Sequence, residues 1–170
     1  MSAAAPPVIE TRRRQMFPTL EPVEIERMRR FGEVRTYRAG EALARAGEKA
    51  PGLTIILSGK LEITRRDEAG RSVLIVSHGP GEFTGELAQL AGRPTLVDAV
   101  ATEPLEGLII PPDRLRALLI AEAELGERIM RAVMQFSQRL VVLVSGAKIA
   151  DGLPEAVIRD PQVERAYLGQ

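Results

Sequence analysis

The chain has 170 residues, enough for one domain with appendages. Hydrophobic residues make up 45% and charged residues 27%, a mixture that buries a core and argues against disorder. Its 23 basic and 23 acidic residues cancel, so no net field draws it to nucleic acid or anionic lipid, and zero cysteines exclude disulfides, thiolate metal sites and thiol redox chemistry.

The N-terminus MSAAAPPVIETRRRQ lacks the apolar stretch of a signal peptide, and no apolar run reaches the roughly 18 residues of a membrane span. The expectation is a cytoplasmic protein without membrane insertion. Residues 1–16 read as a tail and short lead-in. Glu21 then stands at an N-cap, Pro22 at the first helical position and Glu24 in the first turn, which predicts a helix with Ile25, Met28 and Phe31 on its packing face.

From Glu33 to about Ile110 the pattern is short and β-prone. VRTY, LTIIL, KLEIT, SVLIV, LVDAV and EGLII read as strands. Ala39-Gly40, Ala46-Gly47, Ser58-Gly59, Ala69-Gly70 and Gly79-Pro80-Gly81 read as turns, with Arg65, Arg66, Asp67 and Glu68 at a solvated hairpin tip. Closely spaced short strands imply a sandwich or barrel.

Pro112 and Asp113 open a helix through Leu118, and AEAELGERIMRAVMQFSQRLVVLVSG reads as one long helix ending at Gly146. Leu125, Ile129, Ala132, Phe136, Leu140 and Leu143 make one apolar stripe on it. Met130, Met134, Ser137, Val141 and Val144 make a second. One stripe covers the β domain; the other calls for a second copy of the chain or for the terminal segment folding back.

Lead-in helix, glycine-punctuated β segment, helical insertion and long C-terminal helix together resemble the cyclic nucleotide-binding domains of the CRP/FNR-type superfamily. The resemblance rests on AGEALARAGEKAPGLTIILSGKLEITRRDEAGR, GPGEFTGELAQLAGRP and LIIPPDRLRALL, and runs over about residues 17–145. Gly40, Gly47, Gly59, Gly81 and Gly85 fall where that family turns its chain. ETRRRQMFPTLEPVEIERMRRFGEV, LVDA and AEAELGERIMRA look most like the version fused in front of flavin-dependent thioredoxin-reductase-like proteins, although CxxC and GxGxxG are absent. The implied fold is mostly β with flanking helices: a double-stranded β-helix (jelly roll) over residues 17–146, a long C-terminal helix, and a helical tail over 147–170.

The resemblance makes GEFTGELAQLAGRPTLVDAV a phosphate-binding cassette, a turn into a short helix near residues 85–91 whose N–H groups face a cyclic phosphate. It implies ligand contacts from Gly85, Glu86, Leu87, Ala88, Arg93, Pro94 and Thr95, with Glu86 accepting a ribose hydroxyl. The family's clamping arginine, aligned through Gly92-Arg93-Pro94, is replaced by Thr95, and Leu96 and Val97 replace small or hydroxylated residues. Loss of a bidentate pair costs roughly tenfold to a few hundredfold in affinity, so a weakly held cyclic nucleotide or other small anion is the expected ligand and no cofactor is. Glu86 serves equally as a cap of its own helix, and Arg93 as a solvated turn residue.

No metal site, catalytic triad or enzymatic activity is expected. His78 is the sole histidine and reads as an exposed turn residue, and nearby Glu82 and Asp98 show no catalytic spacing. GAKIADGLPEAVIRDPQVERAYLGQ resembles the C-terminus of ATP-binding subunits of branched-chain amino-acid ABC transporters, in the pattern G-x-x-I-A-x-G-x-P-E-x-V followed by D-P-x-V-x-x-A-Y-L-G. The P-loop is missing, which leaves a docking tail or a fusion remnant. Pro154 and Pro161 predict two short helices, the second capped by Asp160. Only 24 residues follow Gly146, too few for a typical helix-turn-helix domain, so nucleic acid is not an expected partner. The remaining readings are a ligand-sensing regulatory domain, homodimeric through its long helix, and a nucleotide-free dimerisation or protein-interaction module of the same fold.

Overall fold

A computed structural model describes residues 18–86, 88, 92–136 and 140–168. The chain divides into two compact units, with the break between Glu122 and Ala123.

The first unit opens with helix α1 (Pro22–Met28), started as its sequence predicts: the Glu24 carboxylate accepts the Glu21 N–H at 2.8 Å. A 3-10 turn (Arg29–Phe31) follows. Eight strands are then seen among the described residues: β1 (Glu33–Tyr37), β2 (Ala42–Ala44), β3 (Leu53–Ser58), β4 (Leu61–Arg66), β5 (Ser72–His78), β6 (Phe83–Thr84), β7 (Asp98–Ala101) and β8 (Leu105–Ile110). They form two antiparallel sheets of four, ordered β1-β8-β3-β6 and β2-β7-β4-β5. The six sequence-predicted strands are all present. β2 and β6, three and two residues long, were too short to announce themselves as periodic runs.

Side chains from both sheets meet in one core: Ile56 and Leu105 from the first sheet, and Leu43, Leu61, Ile63, Val76, Ala99 and Ala101 from the second. Four consecutive residues of β3, Leu53 to Ile56, are buried, and so are Gly107 to Ile110 of β8. These two strands are central in their sheet and covered on both faces, which is why their sequences are nearly continuous apolar runs. At the far end of β4, Asp67 accepts the Ala69 and Arg71 N–H groups at 2.9 Å each, making the expected solvated hairpin tip. Helix α2 (Pro112–Ala121) buries Leu115 and Leu118 and packs on the 3-10 turn. Beyond its end, buried Glu122 pairs with Arg27 and, at 2.7 Å, with Arg30, which ties both ends of the unit together.

The second unit departs from expectation. Helix α3 (Ala123–Phe136) buries Leu125, Ile129 and Ala132 of the first stripe but ends ten residues before Gly146. The chain then forms a hairpin of β9 (Leu140–Val144) and β10 (Ala147–Gly152). The expected long helix is thus corrected to a shorter helix and a β-hairpin. Two causes are visible. The run Leu140-Val-Val-Leu-Val is rich in β-branched residues, and Ser145 (φ 50°) with Gly146 (φ 81°) makes a two-residue turn with both φ values positive, the geometry that matches strand twist. Gly146 turns a hairpin instead of capping a helix. The second stripe is broken accordingly: Val141 and Val144 lie on β9, exposed, and Ser137 lies outside the described residues. Helices α4 (Pro154–Ile158) and α5 (Pro161–Leu168) follow as predicted, and Asp160 caps α5 by accepting the Gln162 N–H at 2.8 Å. Helix α4 packs on both strands of the hairpin, with Val157 and Ala150 buried.

Candidate functional site

The candidate cassette lies between β6 and β7, and β3 holds its entry. Phe83 pairs with Ile55 and Thr84 with Thr54, while Gly81 donates its N–H to Ile56 at 2.8 Å and Ile56 donates to Glu82 at 2.9 Å. Gly85 has φ 92°, and a Cβ there would stand 2.6 Å from the carbonyl oxygen of Gly52. The glycine is required by this approach of two backbones, before any ligand is considered.

Glu86 and Ala88 are helical, in agreement with a cassette helix opening at this point; Leu87 lies outside the described residues. The other end of the segment closes with Gly92 (φ 62°) and a bond from the Arg93 N–H to the Ala88 carbonyl at 3.2 Å, the six-to-one bond of a Schellman cap. Arg93 and Pro94 are exposed, the solvated turn reading of this pair.

Glu86 is only 7% exposed, and its Oε2 has no hydrogen-bond partner among the described residues. Burial raises its pKa above the ordinary value, countered by its own backbone N–H and by the charge of His78. His78 is itself buried at the end of β5, 2% exposed, which corrects the exposed-turn expectation. The turn residues Gly79-Pro80-Gly81 follow it, so the histidine is the last residue of a strand whose inward face it shares with Val76. Its Nδ1 lies 3.5 Å from Glu82 Oε2, which also accepts the Gly79 N–H at 2.8 Å.

Thr95 is buried and held by the loop between β2 and β3. Its N–H donates to Glu48 at 2.9 Å, and the Gly47 N–H donates to its carbonyl at 2.8 Å. The hydroxyl lies 3.3 and 3.4 Å from the carbonyl oxygen and nitrogen of Val97, long local contacts of a polar turn. Leu96 is 88% exposed, whereas Val97 packs against the core shared by the two sheets. Asp98 accepts the Ala46 N–H at 2.9 Å, a structural bond. Among the described residues the start of the helix thus carries a buried, incompletely partnered carboxylate, and Thr95 is a short neutral side chain turned to its own backbone. Among the described residues no group of three or more His, Asp or Glu side chains is arranged to hold a metal ion.

Known proteins bear on this arrangement in three ways. The chain is 27% identical over 124 residues to the CRP-like cAMP-activated global transcriptional regulator of Mycobacterium tuberculosis, covering 73% of this chain and 55% of that protein. It therefore spans about half the length of that relative. The Thermus thermophilus catabolite activator protein crystal structure matches with a TM-score of 0.63 at 24% identity, covering 71% of this chain and 57% of the other, a likeness of fold. Over 69 residues, 41% of this chain and 26% of the relative, it is 39% identical to the high-affinity branched-chain amino acid transport ATP-binding protein BraF of Pseudomonas aeruginosa. The family model for the cyclic nucleotide-binding domain matches residues 34–122, just over half of the chain and nearly all of the two-sheet unit. The chain belongs to the cyclic nucleotide-binding domain family.

Proposed function

We propose that this chain is a non-catalytic, cytoplasmic regulatory module of the CRP/FNR type that senses a small ligand at a phosphate-binding cassette weakened at its clamp. The observation that carries the reading is the contrast within the cassette. Gly85, Glu86 and Ala88 keep the helical opening on β6, while Thr95 at the clamp position offers no charge and spends its hydroxyl on Val97. Closure of the two sheets as a jelly roll, and likeness to the version fused to thioredoxin-reductase-like proteins, are parts of the same proposal. A cyclic nucleotide is the first ligand to test because the M. tuberculosis relative is named for activation by cAMP.

Calorimetric titration of cyclic AMP and cyclic GMP into the wild type and Thr95→Arg tests the reading. Wild-type binding is weak, and the arginine variant binds at least about tenfold more tightly, about 1.4 kcal/mol. Low-micromolar wild-type binding shows that another group supplies the clamp, with Arg93→Ala identifying whether Arg93 is that group. No binding by either protein favours the second reading, a nucleotide-free dimerisation or protein-interaction module. The exposed Val73, Leu74 and Ile75 on the edge strand β5 favour that alternative.

The proposed oligomer is a homodimer through α3, with half-buried Met130 at its face. Met130→Glu then yields a monomer in light scattering, and a monomeric wild type removes the dimer. We also propose that the BraF likeness, longer than the second unit, takes in its hairpin and two proline-started helices, which carry the motifs G-x-x-I-A-x-G-x-P-E and D-P-x-V-x-x-A-Y-L-G. As a docking element it takes a protein partner; as a fusion remnant it takes none, and its deletion leaves ligand binding intact.

A further inference from the structure

The β9–β10 hairpin of the second unit has two unlike faces. On one, Ala150 pairs with half-buried Val142, and α4 packs over them: Ala150 and Val157 are buried, and a Cβ on Gly152 would lie 3.8 Å from Val157 Cγ2. Side chains alternate along a strand, so Val141 and Leu143 stand on the other face, where they are 48% and 56% exposed. Their cross-strand neighbours there are Asp151 and Lys148, joined by an ion pair of 2.9 Å. A two-stranded sheet is marginal in water, and apolar side chains on both sides of β9 are the pattern of a strand covered on both faces.

The charges on the outer face select what covers it. Lys148 and Asp151 are the two charged residues of the hairpin, and both lie on this face, beside the apolar row of β9. A covering surface of a single sign would meet a like charge at one of them. A second copy meets neither conflict. A two-fold axis running across the strands, in the plane of contact, lays the Val141 and Leu143 row of one copy on that of the other and sets Lys148 of each over Asp151 of its counterpart. The result is an apolar centre with charges at its rim, as in other protein interfaces.

We propose that the outer face of the β9–β10 hairpin is a contact between two copies of this chain, centred on Val141 and Leu143 and aligned by crossed Lys148–Asp151 pairs. The inference rests on the homodimer proposed above and gives it a second contact surface besides α3. Two apolar side chains and an ion pair bury far less than the roughly 800 Å² per copy of a standard interface, so the face contributes part of the affinity and the charges fix the alignment.

Analytical ultracentrifugation of the full chain over a concentration series reads the contact. Wild type dimerises, and Leu143→Glu, a change at an exposed position, raises the dissociation constant at least about tenfold by setting like charges in the apolar centre. Lys148→Glu and Asp151→Lys each weaken the dimer as well, because each places like charges opposite one another at two points. Mixed in equal amounts, these two variants form a heterodimer in which every facing pair is again opposite in charge. Native mass spectrometry, with one variant labelled with nitrogen-15, then finds the heterodimer above its statistical share. An ion pair that acts only within its own chain produces no such preference, so a statistical mixture overturns the crossed pairs. A dimer dissociated by Met130→Glu but unmoved by Leu143→Glu overturns the hairpin contact and leaves the one through α3. A wild type that is monomeric throughout the series removes both.

Discussion

The two ends of the cassette are held by different forces. At its start, Gly85 is pressed against Gly52, and Glu86 is buried. At its end, a Cβ on Gly92 would meet nothing within 4 Å, Arg93, Pro94 and Leu96 face solvent, and Thr95 is held mainly through its backbone. The start belongs to the β core and the end to the surface. A change at the end can therefore leave the fold intact, as the proposal of a cassette that keeps its opening and lacks its clamp requires.

The sharpest way to break this contrast is Gly85→Ala. A methyl group at φ 92°, 2.6 Å from a backbone oxygen, costs about 3 kcal/mol by the combined cost of left-handed backbone and overpacking, read by denaturant unfolding. A loss under about 1 kcal/mol would show that the β3 entry yields easily and that both ends are equally tolerant. Glu86→Gln comes next and is read against pH. Burial raises the folded-state pKa of Glu86 above its ordinary 4.5, so the native state binds the proton more tightly than the unfolded chain. The stability owed to that proton is fully present below pH 4.5 and is lost as pH rises through the folded value. Wild type and variant therefore have similar stability in acid, and wild type falls behind as the pH climbs; parallel stability curves would show that the carboxyl is solvated.

Gly92→Ala should cost about 1 kcal/mol, the price of a left-handed alanine without a clash, and a cost equal to that of Gly85→Ala would erase the difference between the ends. Arg93→Ala is the smallest change, within about 0.5 kcal/mol in stability, as for exposed residues away from packed features. Its thermal melt should superimpose on that of the wild type.

Legibility in the sequence followed chemical punctuation. The predicted strand SVLIV and the predicted helix segment containing LVVLV are almost equally apolar, yet the first reading agrees with β5 and the second disagrees with β9. Ser72 to Val76 is bracketed by Ala69-Gly70 and Gly79-Pro80-Gly81, which bound it to strand length. Leu140 to Val144 follows directly on an amphipathic helical pattern, and when every residue is apolar a helical period can always be found in it. The Ser145-Gly146 turn was the decisive clue, and a glycine after an apolar run reads as a helix end or a hairpin with equal ease. In the candidate site, Gly85, Glu86 and Thr95 were singled out by the family resemblance. The burial of His78 was not, because HGPG is turn chemistry and the histidine belongs to the strand before it.

By itself the sequence determined the six longer strands and the helices on either side of them up to Ile120, and the caps of α1 and α5. Each of these depends on local rules: proline at a first helical position, glycine where φ turns positive, a carboxylate three residues from an N-cap. Tertiary structure alone decided that Gly85 answers to Gly52, that Glu122 collects Arg27 and Arg30 across more than 90 residues of chain, and that His78 and Glu86 are each shut away from water. Burial is a property of what packs over a side chain, and desolvation is what turns an ordinary carboxyl into one that holds its proton; neither is written in the neighbours along the chain.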